Sequence, residues 1–235
     1  ATVTDRLDID ATLAPLQLAD FLPDTGGVLR GTVRLTGART APDIAADLTG
    51  SALRYGEYAA ASARIQGTLP WRGDTGALDV VATGVNAGVA LDEVRLAARG
   101  AIEKLQLDAS ARGEIGTVDL SGNAESRNGN WQGTLANLRL APATGASWAL
   151  QSPAQFQQIG TRYTLTESCF ASSGGGSLCA SADWPRQGVS ITGTGLPLAL
   201  ATPYLPEQDG GRPFVLRGEI ALEGSARPVG NGFVG

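Results

Sequence analysis

Two cysteines are the residues whose type and spacing could most readily do chemistry. Cys169 and Cys179 flank the run Gly174–Gly176 in ESCFASSGGGSLCASADW, a pattern that favours a hairpin over 163–184 with the glycines at its tip. Opposed positions on antiparallel strands bring two Cα atoms within disulfide range. A bridge that closes so short a loop would contribute about 3 kcal/mol and would indicate an oxidising compartment such as the periplasm. Two free, partly buried thiols in a cytosolic protein are the alternative.

Residues for catalysis, metal binding or nucleic-acid binding are scarce. The sequence contains no His, which excludes Ser-His-Asp and Cys-His devices and leaves a zinc site short of ligands. No phosphate-binding loop is present, and the carboxylates are scattered. The net charge is −5, and no basic cluster with interleaved aromatic residues occurs. We therefore predict that the chain is not an enzyme, holds no cofactor or metal, and binds no nucleic acid.

The elements that must position the remaining residues are strands. In VLRGTVRLTG, Leu29, Val33 and Leu35 alternate with polar residues such as Arg30 and Arg34. Successive side chains of a strand point to opposite faces, so this period of two predicts one apolar and one polar face. The same alternation recurs along the chain, and turn signals separate the runs about every ten residues. These patterns predict an all-β fold built on a largely antiparallel or mixed sheet.

Helix signals are weak, and no change of composition divides the chain. We expect helical turns only near Leu18–Leu22 and Leu200–Leu205. Each turn lies in a segment that ends in Leu, Pro and an acidic residue. The sequence therefore predicts a single continuous segment over 1–235. Because the chain contains no Met and stops within a strand-like pattern, we expect it to be a fragment of a longer protein.

A ten-residue phrase occurs twice. VLRGTVRLTG begins at Val28 and VLRGEIALEG begins at Val215, each within a longer unit of Leu, Gly and Pro positions, near 13–42 and 196–228. A duplicated catalytic loop would preserve polar chemistry, whereas this repeat preserves apolar residues, Gly and Pro. The repeat therefore indicates a structural module that adds strands to a sheet.

The apolar face is the candidate functional surface. It needs a cover, and no amphipathic helix is available, so we expect the sheet to curl into a trough with small aliphatic residues inside and Arg30, Arg34 and Arg217 outside. Such a lining could hold lipid acyl chains without directional contacts. The predicted lining consists of Leu29, Val33, Leu35, Ile65, Leu69, Leu78, Val80, Leu105, Leu107, Val118, Leu120, Leu216, Ile220 and Leu222.

Several motifs in a fixed order resemble the TamB branch of the AsmA-like family. They are the repeated unit, SWALQSPAQF, the cysteine hairpin, and ADWPRQG followed by GLPLAL, with the resemblance strongest from Ala141 to Gly224. The resemblance implies a β-taco, which is a curved sheet folded into a U-shaped trough with an apolar interior. It also implies a periplasmic segment of a protein anchored in the inner membrane, lacking that anchor here.

What the resemblance implies for function is phospholipid transport between the inner and outer membranes and support of outer-membrane biogenesis. The family is also linked to autotransporter assembly. Its implied partners are phospholipid acyl chains and the Omp85-type outer-membrane protein TamA, the latter through parts of the full-length chain outside this fragment. A structural or adhesive β-solenoid, such as an autotransporter passenger, is the alternative. A carbohydrate-active β-helix is a third possibility, but it needs clustered carboxylates that the sequence does not offer.

Overall fold

The computed structural model describes residues 6–73, 75–206, 214–229 and 232–234. Within these residues the chain forms strands and two short 3₁₀ turns, Leu18–Asp20 and Leu198–Tyr204. The strands are β1 (Arg6–Gln17), β2 (Thr25–Ala38), β3 (Ala41–Tyr55), β4 (Tyr58–Leu69), β5 (Gly76–Asn86), β6 (Ala90–Ala101), β7 (Lys104–Gly113), β8 (Gly116–Arg127), β9 (Asn130–Pro142), β10 (Trp148–Leu150), β11 (Ala154–Ile159), β12 (Arg162–Ser172), β13 (Ser177–Trp184), β14 (Gly188–Pro197), β15 (Glu219–Val229) and β16 (Gly232–Val234). The all-β prediction is confirmed, and both helical turns lie where the sequence places them.

The chain divides into two compact units. Residues up to Ile115, together with Asn123–Glu125, form the first unit, and Gly116–Gly122 with the residues from Ser126 onward form the second. Each unit is built of antiparallel strands that follow the alternating pattern of the sequence. The single continuous segment over 1–235 stays a prediction.

In the first unit β1 to β7 form an antiparallel meander in which each strand pairs with the next. Short turns join the strands, as expected for polar and Gly-containing connections of this length. Because every pairing is between sequence neighbours, the register of one hairpin fixes that of the next. Alternate residues of all seven strands therefore lie on a common face.

In the second unit two short strands take the place of one. Strands β10 and β11 both lie between β9 and β12, at different levels, and each pairs antiparallel with both neighbours. The break between them falls at Gln151–Pro153 in the motif WALQSPAQF. Pro153 has no amide hydrogen to give to a ladder, which explains an interruption at this point. The Gln151 amide nitrogen keeps one bond, donating to the Cys169 carbonyl at 2.8 Å.

The rest of the second unit is a meander of β12, β13, β14 and β15. The second copy of the repeated phrase begins as a strand only at Glu219, whereas the first copy lies wholly inside β2. The predicted strand is therefore wrong for Val215–Gly218. Strand β14 ends at Pro197, which pairs with Glu219, so the residues before Glu219 have no partner strand along which to extend.

Neither unit encloses a large core. Among the described residues no large side chain is fully buried, and the buried apolar residues are Leu69, Ala98, Ala101, Ala154 and Leu196. The chain exposes 15080 Å², whereas two independent globular domains of half its mass would together expose about 12,000 Å². The apolar faces of the sheets are therefore largely open.

Candidate functional site

The predicted lining residues of the first unit share one face of its sheet. Residues opposite one another on antiparallel strands project to the same side, so the registers define rows across the sheet. The rows are Ile9, Leu35, Ile44 and Leu69; Gly76, Gly100 and Leu105; Ala11, Val33, Ala46, Gly67, Leu78, Ala98 and Leu107; Leu13, Gly31, Leu48, Ile65, Val80, Leu96 and Ala109; and Leu16, Leu29, Gly50, Ala63, Ala82, Val94 and Ala111. Every row is aliphatic or Gly, and the face carries no charge in these rows.

The opposite face of the same unit is polar and carries ion pairs within and between strands. Arg99 contacts Asp79 at 2.7 Å, and Glu93 lies between Arg95 and Arg112 at 2.7 and 2.8 Å. The side-chain hydrogen bond from Arg95 is the main cause that holds the pKa of Glu93 below its ordinary value. These pairs are mostly exposed, so they contribute little stability each but keep this face hydrated. The arginines expected outside, at 30 and 34, are exposed.

One end of the apolar face is closed by the connection between β4 and β5. The Trp71 amide donates to Asp43 Oδ1 at 2.7 Å, and the Trp71 indole nitrogen donates to Glu103 Oε1 at 3.0 Å. Arg72 also donates to Glu103, at 3.0 Å, and this bond is the main cause that lowers the pKa of the Glu103 carboxyl. The buried Leu69 and the neighbouring Pro70 lie against Gly76, so this part of the connection covers the last row.

The other end of the face is open, and a bulge shapes it. The β2–β3 register shifts between Gly26/Arg54 and Val28/Ser51, at Ala52 with its φ of 51°, and Gly84 of β5 has a φ of 56° at the same level. Beyond the bulge Leu53 returns to the apolar side, because a Cβ on Gly50 would lie 2.7 Å from Leu53 Cδ1 and 3.1 Å from Leu29 Cδ2. The register shift therefore extends the apolar face to the ends of the strands.

At that open end the structure forms a pocket of about 360 Å³. Its lining is almost entirely apolar, with Arg54 as the single charged residue. The lining residues are Leu18, Leu22, Thr25, Leu29, Leu53, Arg54, Tyr55, Tyr58, Ala59, Ala60, Val85, Asn86 and Ala87. Tyr55 and Tyr58 are paired across the hairpin tip and are 67% and 60% exposed, so they form a rim between the apolar lining and water.

The second unit repeats the two-faced arrangement. Phe170, Leu178, Gly193 and Leu222 follow one another across β12 to β15, and Leu196 pairs with Ile220 in the next row. A Cβ on Gly193 would meet Leu196, Leu222 and Leu178, which places these three leucines on one side. Of the predicted lining, Ile220 and Leu222 therefore lie together. They are 46% and 40% exposed.

Three predicted lining residues have less support from the register. Val118 and Leu120 are half-buried and alternate with the exposed residues Thr117 and Asp119 in β8, as expected of one face. Leu216 lies before β15 in an irregular segment, so no strand pairing assigns it to a face. The lipid-facing role of all these residues stays a prediction.

The cysteine pair lies on the polar face of the second unit. Cys169 and Cys179 are directly opposed in β12 and β13, with Cα atoms 4.0 Å apart, and form the predicted disulfide. Cys179 is paired in turn with Thr192, on the side where the Ser177 and Thr194 hydroxyls hydrogen-bond at 2.9 Å. The bridge therefore stabilises the hairpin without entering the apolar face.

Sequence reasoning missed the residues of the pocket end. Leu53 and Val85 follow the bulge, so strict alternation assigns them to the wrong face. Leu18 and Leu22 belong to a turn, where a period of two does not apply. Gly84 could have indicated a change of backbone conformation in the sequence, since Gly is favoured at positive φ. Ala52, which also has a positive φ, gives no such indication.

The part of the chain that the structure describes contains neither a cluster of metal-ligating side chains nor a membrane-spanning helix. No group of three or more Asp, Glu, Cys or His side chains there is arranged to hold a metal ion. None of the described helices is long and apolar enough to cross a membrane.

Antiparallel strands that give each unit one open aliphatic face and one polar face define a class of all-β protein that offers an apolar surface. The family model described as "TamB, N-terminal domain" matches residues 1–226. The chain belongs to the TamB family. No solved structure matches it significantly.

Proposed function

We propose that this chain is a periplasmic segment of a TamB-like bridge that conducts phospholipids between the inner and outer membranes along its apolar face. The observation that carries the proposal is the segregation of the two faces of each sheet. The rows that contain Leu78 and Val80 are aliphatic and open, whereas the adjacent rows contain ion pairs. A family member with such a face has the surface that lipid transport needs.

The lining suits acyl chains because it is aliphatic and its contacts do not depend on the direction of a hydrogen bond. Each methylene removed from water contributes about 0.8 kcal/mol, whatever its position along the chain. A lipid tail could therefore slide between similar rows without losing a specific hydrogen bond. Small side chains in these rows, such as Ala63 and Ala82, leave space above the sheet that larger side chains would fill.

Location and partner follow from the family together with the cysteine pair. A disulfide in the second unit is in keeping with the oxidising periplasm. The family is associated with an inner-membrane anchor and with the outer-membrane protein TamA, and we propose the same for the protein to which this chain belongs. Transport and assembly, not catalysis, is its proposed activity.

The alternative of a structural or adhesive β-solenoid has less support. A β-solenoid stacks coils so that strands of successive rungs run parallel. Among the described residues, the strand pairs within β1 to β7 and within β9 to β16 are antiparallel and join neighbours or near neighbours in sequence.

Photocrosslinking at two consecutive positions tests the proposal. A photoreactive diazirine residue at Val80 should capture phospholipid in cells, whereas the same residue at Val81, on the polar face, should not. Both valines are half-buried and lie in the middle of β5, so they form a matched pair. Equal capture at both positions, or none at either, would contradict conduction along this face. Native mass spectrometry of the purified chain should detect the bound lipid independently.

A further inference from the structure

The open pocket at the end of the first unit has features that the middle of the apolar face lacks. It has a defined volume of about 360 Å³, a curved wall formed by the first 3₁₀ turn, and a rim of two exposed tyrosines. Leu18 belongs to that turn and Leu22 follows it, with its amide donating to the Leu18 carbonyl at 3.1 Å, whereas Leu53 and Val85 come from the strands. The pocket is thus bounded on two sides, whereas the rows beyond it are open.

The charge of this pocket lies at its rim. Arg54 is the one charged residue of the lining, and its guanidinium lies beside Gly26, with Nε 3.7 Å from the position of a Cβ there. The register places the Arg54 side chain on the polar side of the strand end, so it meets the pocket at the rim and not at the floor. Among the described residues this guanidinium has no ion pair or side-chain hydrogen bond.

Two acidic residues belong to the turns beside that rim, next to lining residues in the sequence. Glu57 lies in the hairpin tip between the two tyrosines, and Asp24 lies next to the tip, where its carbonyl accepts the Gly56 amide at 2.9 Å. Both residues are exposed. The Arg54 cation of the lining, together with these acidic residues of the adjoining turns, is complementary to a ligand with an apolar tail and a head group of both signs.

We infer that this pocket is a lateral phospholipid site that seats one acyl chain and holds a zwitterionic head group at its rim. The phosphate pairs with Arg54, the ammonium faces Asp24 and Glu57, and the phenol rings of the tyrosines border the glycerol region. Tyr suits this position because its ring is apolar and its hydroxyl is polar. The inference rests on the proposed function, since it makes this end of the face a place where a lipid joins or leaves the row of aliphatic residues.

The test uses two probe positions in one strand and two arginine variants. Purified chain carrying a diazirine residue at Val85, in the pocket, or at Val80, in the middle of the face, is irradiated with vesicles of equal phosphatidylethanolamine and phosphatidylglycerol. Each probe is combined with Arg54→Glu or with Arg30→Glu, which changes an exposed arginine of β2 that does not line the pocket. Capture and lipid identity are measured by mass spectrometry.

We expect the probe at 85 to capture phosphatidylethanolamine in preference to phosphatidylglycerol. Arg54→Glu should lower capture at 85 at least about five-fold, because a charge-assisted contact to phosphate is replaced by repulsion, whereas Arg30→Glu should leave it unchanged. Capture at 80 but not at 85 would overturn the pocket while leaving the proposed function standing. Equal effects of the two arginine variants, or preference for phosphatidylglycerol, would overturn the head-group assignment. Capture at neither position would remove the proposed function itself.

Discussion

Val80 and Val81 are consecutive in β5 yet belong to different environments. Val80 lies between Ile65 and Leu96 across the sheet, whereas Val81 lies between Arg64 and Arg95. The backbone pleat alone produces this difference, because successive side chains leave a strand on opposite sides. The two valines therefore allow the apolar face to be tested with the same substitution on either side.

Val80→Asp should leave the chain folded but less stable, by about 1–3 kcal/mol, because a half-buried position keeps the new carboxylate in partial contact with water. In a closed core the same change would be far more damaging. Val81→Asp should have almost no effect, since Arg64 and Arg95 flank the new charge. Urea denaturation of both variants measures the difference. Complete unfolding of the Val80 variant would show that the face is an ordinary core.

Reducing the Cys169–Cys179 bridge should lower the free energy of unfolding by about 3 kcal/mol, since it closes a loop with a sequence separation of 10. Lipid capture by a probe at Val80 should persist, because the bridge lies on the polar face of the other unit. Denaturation with and without dithiothreitol, repeated on the Cys169→Ser/Cys179→Ser variant, provides the measurement. A loss of capture at 80 on reduction would show that the bridge does more than stabilise its hairpin.

Asp183→Asn should weaken the loss of the free energy of unfolding that accompanies a fall in pH. Arg162 holds Asp183 with two hydrogen bonds of 2.8 and 2.9 Å, and this interaction is the main cause that lowers the pKa of the carboxyl from 3.8. A lowered folded-state pKa contributes stability that is present above the unfolded value and is lost as the pH falls through the folded value. The variant should thus be less stable than the parent at neutral pH, and the difference should shrink as the pH falls below the unfolded-state pKa of the carboxyl.

The control for this titration is Asp119→Asn, which removes an exposed carboxylate of β8. Thermal melts between neutral pH and about pH 2 should separate the two variants. A constant stability difference between Asp183→Asn and the parent over the whole range would contradict the role of this ion pair.

Glu103→Ala should loosen the closed end of the first unit. It removes the acceptor of both the Trp71 indole and the Arg72 guanidinium, so the connection between β4 and β5 loses its side-chain anchor. The emission of Trp71, isolated by replacing the other tryptophans with Phe, should shift to longer wavelength as water reaches the ring. Glu114→Ala, at an exposed position between β7 and β8, should leave the emission unchanged. An equal shift in both variants would contradict this role of Glu103.

Gly31→Ala should destabilise the first unit by about 2–4 kcal/mol. Gly31 has a φ of 126°, and a Cβ there would collide with the Asp47 carbonyl oxygen. Gly224→Ala, at the last residue of the second repeated phrase, is the control, because nothing lies within 4 Å of its Cβ position. Chemical denaturation compares the two, and similar costs would show that close strand approach at Gly31 is unimportant.

The sequence by itself determined the strands, the two short turns, the cysteine hairpin and the alternation of faces. All of these depend on neighbouring residues, and a period of two survives in any sheet whose strands pair in sequence order. For the same reason the alternation alone was enough to assign Leu35, Val33 and Leu107 to one face. The motif order was sufficient to indicate the TamB family.

Tertiary structure alone decided where the alternation breaks. The register shift at Ala52 returns Leu53 to the apolar side, and only the paired backbone shows that Val85 lies in the same row, through Ala60. The end of β14 at Pro197 likewise decided that the second repeated phrase starts its strand at Glu219. Bulges and strand ends depend on the partner strand, which a local pattern does not contain. That is the physical reason why the sequence indicated the face, whereas the pocket at its end required the fold.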